Sequence, residues 1–329
     1  MTTLATEGAN SPSNTGQPPT GAGEGGQRIE GRTPLQLAWA RLKRDRVAMA
    51  AAITIVLLVL IAVLAPLITK TLAHGRGPDF GPNFQDKTNG LDVNGIPQGP
   101  DGKALLGYDS LGQDILVRIV YGARISLMIG IVSTGIALLI GVTIGMFAGY
   151  FGGKTDMILS GLMDIVLSFP FLLTALTLVA IFNPSIYVSI SIIALFGWVY
   201  IARIVRGQVL SLREKEFIEA ARSLGASDLR IMFGDVLPNL VAPIIVYATL
   251  LIPTNILAEA SLSFLGLGVP PGTPTWGSML NESQEWYTVA WWYMAFPGIA
   301  LLITVLAFNL LGDGLRDALD PRARQTLAK

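Results

Sequence analysis

The chain has 329 residues, and its 23 Lys and Arg against 23 Asp and Glu give a formal net charge of zero. Only 14% of the residues are charged and 51% are hydrophobic, which excludes a disordered chain and a nucleic-acid binder that works by bulk positive charge. The lack of cysteine excludes disulfides and thiolate sites, and a single histidine, His74, excludes an imidazole cluster for zinc. The placement of the charges separates the remaining classes, an apolar soluble protein and a membrane protein.

The chain begins with a segment, residues 1–33, that is rich in Gly, Ser, Thr and Pro and has hardly any aliphatic residue. Such a segment cannot bury a core, so we predict a disordered tail. It lacks the charged and apolar regions of a signal peptide. The segment 34–69 contains a basic flank followed by the first charge-free run, and this run has no small-residue cleavage site. We therefore expect it to remain as a membrane anchor.

Five charge-free runs are long enough to cross a membrane, which takes about 20 mostly apolar residues. Soluble helices seldom sustain such runs, because a globular core needs only one apolar stripe per helix. The third run is too long for one helix and contains the turn signal Asn183-Pro184-Ser185, so we divide it into two helices. The runs are Val47–Thr69, Ile125–Gly153, Ile165–Ala202, Val236–Ala258 and Trp286–Gly312. The sequence therefore predicts an all-α membrane protein with six transmembrane helices.

The distribution of Lys and Arg between the connections predicts the orientation. With both ends inside, 17 of the 23 basic residues lie on the cytoplasmic side, and the third-to-fourth and fifth-to-sixth connections outside hold none. The other basic residues lie in the long first connection, where the rule is weaker because long loops cross regardless of charge. We predict N-in, C-in topology, with an extracytoplasmic loop at 70–117, a core transmembrane domain at 118–320 and a cytoplasmic tail at 321–329.

Two segments come close to known ligand motifs. The stretch Gly149 to Thr155 looks like a phosphate-binding loop, but the position of its first glycine is Ala148, and a membrane helix precedes it where a strand is needed. A turn with Lys154 as a topology anchor is the favoured interpretation. The stretch Asp86 to Gly95 hints at a calcium loop but lacks the carboxylate spacing and closing Glu, which favours a solvated turn, and His74 nearby is expected to be exposed.

Charges within a membrane are functional candidates, because burying one costs at least about 2.5–3.5 kcal/mol. Asp164, Glu259 and Asp313 all fall near the ends of the predicted spans, where we expect them to reach water. They form no ion relay, which weakens the main alternative, a secondary transporter or channel. A membrane-embedded enzyme would need a cluster of titratable groups in the spans, and the sequence lacks one.

The cytoplasmic stretch between the fourth and fifth spans has a helical pattern. Phe217, Ala220, Ala221 and Leu224 are spaced i, i+3, i+4 and i+7, which predicts one apolar stripe on a helix. Gly225 stands where a left-handed helix cap belongs, and Ser227 can cap a second short helix through Asp228 to Phe233. A helix lying in the lipid interface is the alternative, but two alanines give the stripe little to insert, whereas they allow close approach of a partner protein.

This stretch resembles a known motif. Glu219-Ala220-Ala221, Gly225 and Leu237-Pro238 are similar to the EAA loop of permease subunits of bacterial ABC importers, which docks into a cleft on the ATPase subunit. The resemblance implies a coupling loop at 212–238. The residues it implies for coupling to the ATPase are Phe217, Glu219, Ala220, Ala221, Leu224 and Gly225. The family prefers an aliphatic residue where this chain has Asp235.

Further segments resemble the C-type permease of dipeptide, oligopeptide and nickel importers, apart from Tyr108 and Gln113, where that family usually has Thr and Arg. The segments are Leu106–Leu116, Tyr121–Leu127, Ser263–Pro271, Thr275–Gly277 and Asn309–Pro321. The resemblance spans about residues 35–324 without about 72–103. It implies a multi-pass, non-catalytic subunit in the cytoplasmic membrane, surrounded by lipid and without a cofactor or metal of its own.

The resemblance also implies partners. They are a homologous second permease, two cytoplasmic ATPase subunits that hold ATP and Mg, and an extracytoplasmic solute-binding protein. Di- or oligopeptides are the favoured solutes, with nickel and other small solutes behind.

Overall fold

The computed structural model describes residues 39–73 and 80–319, and these form helices and turns without a β-strand. The predicted tails at 1–33 and 321–329, and His74, lie outside the described residues. The helices are α1 Arg46–Val63, α2 Ala65–Leu72, α3 Ile115–Phe151, α4 Gly153–Ser168, α5 Phe171–Phe182, α6 Ile186–Leu212, α7 Glu216–Ser223, α8 Asp228–Ile231, α9 Leu237–Phe264, α10 Trp276–Glu282 and α11 Trp291–Leu319.

Five helical segments are long and apolar enough to cross a membrane: α1, α3, α6, the continuous stretch Asp228–Phe264, and α11. Helices α4 and α5 pass the same test only as a pair, and they meet at 80°. The described part of the chain therefore has six spans if this bent pair counts as one, which agrees with the predicted all-α membrane fold. The predicted division of the third run is confirmed, because Asn183 ends α5 with a φ of +63°.

The bent pair differs from the span predicted to begin at Ile165. The helix begins at Gly153 and breaks at Phe169, where φ is −88° and ψ is 125°. The cause is Pro170, whose ring disfavours the helical conformation of the residue before it. Helix α5 begins at Phe171, directly after Pro170, and runs at 80° to α4.

Two ion pairs fix α4 against α6. Asp156 pairs with Arg206 through both carboxylate oxygens, and Asp164 lies 2.5 Å from Arg203, with both of these side chains exposed. Lys154, Asp156 and Asp164 leave most of α4 outside the charge-free runs of the sequence, and for this reason the runs gave no sign of this helix.

Helices α3 and α6 are in close backbone contact. A Cβ added at any of three glycines spaced four residues apart on α3 would fall on a backbone carbonyl oxygen of α6. The distances would be 2.6 Å from Gly141 to Trp198, 2.4 Å from Gly145 to Ala202 and 2.8 Å from Gly149 to Arg206. The backbones of α3 and α6 thus touch directly, as small residues allow between membrane helices.

Glu259 does not reach water, contrary to our expectation. It is completely buried near the end of α9, where its carboxylate accepts hydrogen bonds from Ser126 at 2.9 Å and Ser263 at 2.6 Å. The backbone N–H of Trp276 approaches the same Ser126 hydroxyl at 3.4 Å. Glu259 therefore joins α3, α9 and the start of α10 by hydrogen bonds. Asp313, by contrast, is exposed as expected.

The segment 80–114, which we call the outer segment, is built from aspartate-capped turns. Each carboxylate accepts bonds from backbone N–H groups two to four residues ahead, as in Asx turns. The acceptors and donors are Asp86 with Thr88 and Asn89, Asp92 with Asn94 and Ile96, Asp101 with Lys103 and Ala104, and Asp109 with Leu111 and Gln113. The bond from Ile96, supported by Asn94, holds the pKa of Asp92 below its usual value. This geometry confirms the turn interpretation of Asp86 to Gly95.

Candidate functional site

The candidate site is the segment 212–238, which begins where α6 ends. Helix α7 has Glu216 and Glu219 in its first turn and Arg222 in its last, an order that complements the helix dipole. One face of the helix is covered, because Ile218 is completely buried. A helix of this length gains most of its stability from such packing.

Gly225 ends α7 as the sequence predicted. Its φ is +82°, in the left-handed region that favours glycine. The N–H of Ala226 donates to the carbonyl of Ala221 at 3.1 Å, and the N–H of Gly225 donates to Arg222 at 3.0 Å. These two bonds make a complete Schellman motif, which closes the helix and turns the chain toward α8.

The second helix of the site differs from the predicted short helix. Ser227 occupies the N-cap position of α8, but its side chain makes no capping bond. The helical conformation also does not end at Phe233, because a π-helix at Met232–Val236 connects α8 directly to α9. The wider turn lies just before Pro238, which cannot donate to the carbonyl four residues back. The second helix is therefore the beginning of a membrane span.

The predicted apolar stripe on α7 divides between two environments. Leu224 is 88% exposed, Phe217 is 44% exposed, and Ala220 and Glu219 are also exposed. Ala221 is half-buried and packs against the membrane helices beside Ile218. Ala221 thus lies at the boundary between the exposed stripe and the buried face.

Three residues that contribute to this site were missed in the sequence. Ile218 supplies the buried face, and its spacing of three from Ala221 could have indicated this. Leu229 and Phe233, which are 57% and 54% exposed, add apolar surface on the following helix. We call the exposed set the docking residues: Phe217, Ala220, Leu224, Leu229 and Phe233.

A buried cluster holds the site against the membrane helices. It combines side chains of α3, α6, α7, α8 and α9 around Ile218. Its fully or nearly fully buried members are Met146, Tyr150, Ile201, Val205, Val209, Ile218, Ile231, Met232, Val236 and Leu240. Because interiors are packed as densely as crystals, this cluster holds the segment closely against the helix ends behind it.

Polar contacts add to this attachment. The hydroxyl of Tyr150 donates to Asp228 at 2.8 Å, and the guanidinium of Arg222 lies 5.9 Å from the centre of the Tyr150 ring. Arg213 donates to the carbonyl of Gly149 at 3.2 Å.

The glycine-rich segment Gly149 to Thr155 is the corner between α3 and α4. Gly152 and Gly153 have φ values of +65° and +51°, and Lys154 is exposed in the first turn of α4. A helix precedes the glycines here. The segment is therefore the turn that the sequence predicted. It does not follow a strand, as a phosphate-binding loop would.

Two family models match the chain. The model described as "Binding-protein-dependent transport system inner membrane component" matches residues 141–325, which include the whole candidate site. The model described as "N-terminal TM domain of oligopeptide transport permease C" matches residues 33–89.

Curated relatives cover nearly the whole chain. A dipeptide transport system permease protein, DppC, of Alkalihalophilus pseudofirmus is 42% identical over 89% of this chain and 91% of its own length. A glutathione transport system permease protein, GsiD, of Pectobacterium atrosepticum is 41% identical over 89% of this chain and 93% of its own length.

A solved structure shares the fold. A chain of the MetNI methionine ABC transporter, in an inward-facing conformation, superimposes with a TM-score of 0.53 at 20% identity. The match covers 63% of this chain and 98% of that chain. The helical arrangement is therefore one that solved ABC transporters contain.

Proposed function

We propose that this chain, which belongs to the binding-protein-dependent transport system inner membrane components, moves di- or oligopeptides or a similar small solute. As a member of that family it is a multi-pass permease subunit of an ABC importer in the inner membrane. The subunit is non-catalytic, and ATP is hydrolysed on partner ATPases. Family membership implies a second permease and a binding protein as well.

The solute class rests on the relatives. Their names give a dipeptide for one and glutathione, itself a tripeptide, for the other. A small peptide is what the two solutes have in common. The test is uptake of labelled dipeptide by proteoliposomes that contain the full importer, with glutathione and nickel ions as competitors. Inhibition by nickel alone would overturn the peptide assignment.

We infer that the segment 212–238 couples the permease to the ATPase subunits. The observation that carries this is Leu224, an apolar side chain 88% exposed at the end of a helix that is packed against the membrane helices through Ile218. In the assembled importer, a cleft on each ATPase would cover the docking residues of the permease above it, while Glu219 borders them and Gly225 sets the turn. Closure of the ATPases on ATP and Mg would then move this segment and drive alternating access.

The experiment for this role replaces Ala220, which is exposed, with Asp. A carboxylate desolvated in an apolar cleft weakens docking, so we expect loss of ATPase subunits from the purified complex at normal permease abundance. Ala220→Ser is the matched control, since it adds a polar atom without charge. Normal uptake by Ala220→Asp would remove the coupling role.

The orientation follows from the same proposal, since the segment 212–238 must face the cytoplasm. A cysteine at Ser227 should react with an impermeant thiol reagent only after permeabilisation, whereas one at Gln98 in the outer segment should react in intact cells. The chain has no cysteine, so each single-cysteine variant is free of background. The reverse pattern would contradict N-in, C-in topology.

A secondary transporter or channel is the alternative function. It would draw on an ion gradient, so uptake would continue without ATP. Uptake is measured in proteoliposomes that have ATP but no ion gradient, and in proteoliposomes that have an ion gradient but no ATP. The comparison separates an ABC importer from a secondary transporter or channel. We expect uptake only in the proteoliposomes that have ATP.

A further inference from the structure

Helix α3 is attached by polar groups at both of its ends. It has 37 residues, and at 1.5 Å per residue it extends roughly 55 Å, more than the thickness of a membrane core. Its last turns contact the segment 212–238, and its first turn contacts the outer segment.

The inner joint lies around Tyr150. This side chain is 5% exposed, donates to Asp228 and supports the Arg222 guanidinium on its ring. The two partners lie on the two helices that flank the Gly225 turn. Tyr150 therefore connects the end of α3 to both helices of the coupling segment.

The outer joint is a buried ion network around Arg118. Arg118 is 1% exposed and pairs with Asp109, which is completely buried, and with Glu282 at 2.7 and 3.1 Å. The hydroxyl of Tyr293 donates to Glu282 at 2.9 Å. Breaking a buried pair leaves an uncompensated charge, so the partners must move together.

Asp109 extends this joint into the outer segment. Besides Arg118, its carboxylate accepts the backbone N–H groups of Leu111 and Gln113, both at 2.8 Å. The outer segment is also bound to α11, where the indole N–H of Trp292 donates to the carbonyl of Tyr108 at 3.3 Å. A displacement of Arg118 along α3 must therefore shift the backbone of the outer segment.

We propose that α3 transmits the movement of the coupling segment to the outer segment, with Tyr150 and Asp228 as positioning residues at the inner joint and Arg118 at the outer joint. The proposal rests on the coupling role of 212–238. It adds a route by which ATP binding on one side of the membrane changes the surface on the other. The binding protein would meet that surface, so its release of solute would follow the state of the ATPases.

The experiment places a fluorescent label on a cysteine at Val93, whose side chain is fully exposed in the outer segment. The full importer in lipid nanodiscs is labelled, and the change in fluorescence on trapping with ATP and vanadate is measured. Tyr150→Phe keeps the ring beneath Arg222 but removes the hydroxyl. Because the loss of one hydrogen bond to a charged group shifts an equilibrium by roughly tenfold to hundredfold, we expect the label response to fall by at least about tenfold.

Two further variants separate transmission from general damage. Tyr187→Phe removes a hydroxyl from an 81% exposed tyrosine on α6 and should keep the full response. Asp228→Asn keeps an oxygen that can accept from Tyr150 and should retain most of the response, whereas Asp228→Ala should match Tyr150→Phe. ATPase subunits should co-purify normally with every variant.

Two results would overturn the proposal. An unchanged label response in Tyr150→Phe, with normal retention of the ATPases, would remove the role of α3 and leave the coupling proposal intact. Loss of the ATPases from Tyr150→Phe would show that the inner joint serves docking and not transmission.

Discussion

Replacing Leu224 with Ala tests the docking residues on the side chain that is most exposed. Fully burying a Leu side chain is worth about 1.5–3 kcal/mol relative to leaving it exposed. At 88% exposure nearly all of that side chain is available to a partner. Since Ala keeps one carbon, we expect Leu224→Ala to weaken ATPase docking by about 1–2 kcal/mol, roughly fivefold to thirtyfold in affinity. Stability of the permease should change by less than about 0.5 kcal/mol, as for other surface positions.

Ile218→Ala is the matched variant on the opposite face of the same helix. Ile218 is completely buried among α3, α6 and α9 side chains, and truncation of such a residue costs about 2–5 kcal/mol. We therefore expect a lower melting temperature of the permease.

The assay measures both quantities on each variant. Purified ATPase subunits are titrated onto the permease pair in nanodiscs, and thermal unfolding of the permease pair is followed separately. Leu224→Ala should change the affinity alone, whereas Ile218→Ala should lower the melting temperature. Unchanged affinity in Leu224→Ala would refute the reasoning that its exposed side chain enters a cleft.

Three other changes have definite expected outcomes. Gly225→Val forces a β-branched residue to a φ of +82°, at a cost of more than about 1 kcal/mol. Solute-stimulated hydrolysis should therefore fall while membrane abundance stays normal, and normal stimulation would contradict the role of this turn. Gly145→Val would push a Cβ to 2.4 Å from the carbonyl oxygen of Ala202, so abundance and melting temperature should fall, but not in Gly135→Val, where a Cβ meets nothing within 4 Å. Lys154→Ala should leave ATP hydrolysis by the complex intact. If the isolated chain bound ATP saturably and Lys154→Ala abolished that binding, the segment would be a phosphate site after all.

The spans could be predicted because hydrocarbon excludes charge over a length that can be counted in the sequence. The same rule failed at α4, where Asp156 and Asp164 interrupt the run. Their arginines lie on α6, 50 residues beyond Asp156 and 39 residues beyond Asp164. Pairing over that separation leaves no local pattern.

Burial within the site was harder to predict for a related reason. Periodicity placed Phe217 and Leu224 on one stripe and Gly225 at its end, as the structure has them. The same periodicity allowed a second stripe through Ile218 and Ala221, which our prediction did not use, so Ile218 was missed. Glu259 was misjudged in the same way, because Ser126, one of the two serines that donate to its carboxylate, is 133 residues away in sequence.

Site-directed cross-linking tests the central claim that the 212–238 segment docks on the ATPase subunits. A cysteine at Leu224 is combined with a photoactivatable thiol reagent in the full importer, and a cysteine at Leu105, which is 60% exposed in the outer segment, is the control. Because the chain has no cysteine, each reagent attaches at one site. We expect adducts with the ATPase from Leu224 alone, with a yield that changes when ATP is bound. Adducts with the ATPase from Leu105, or none from Leu224, would contradict the account.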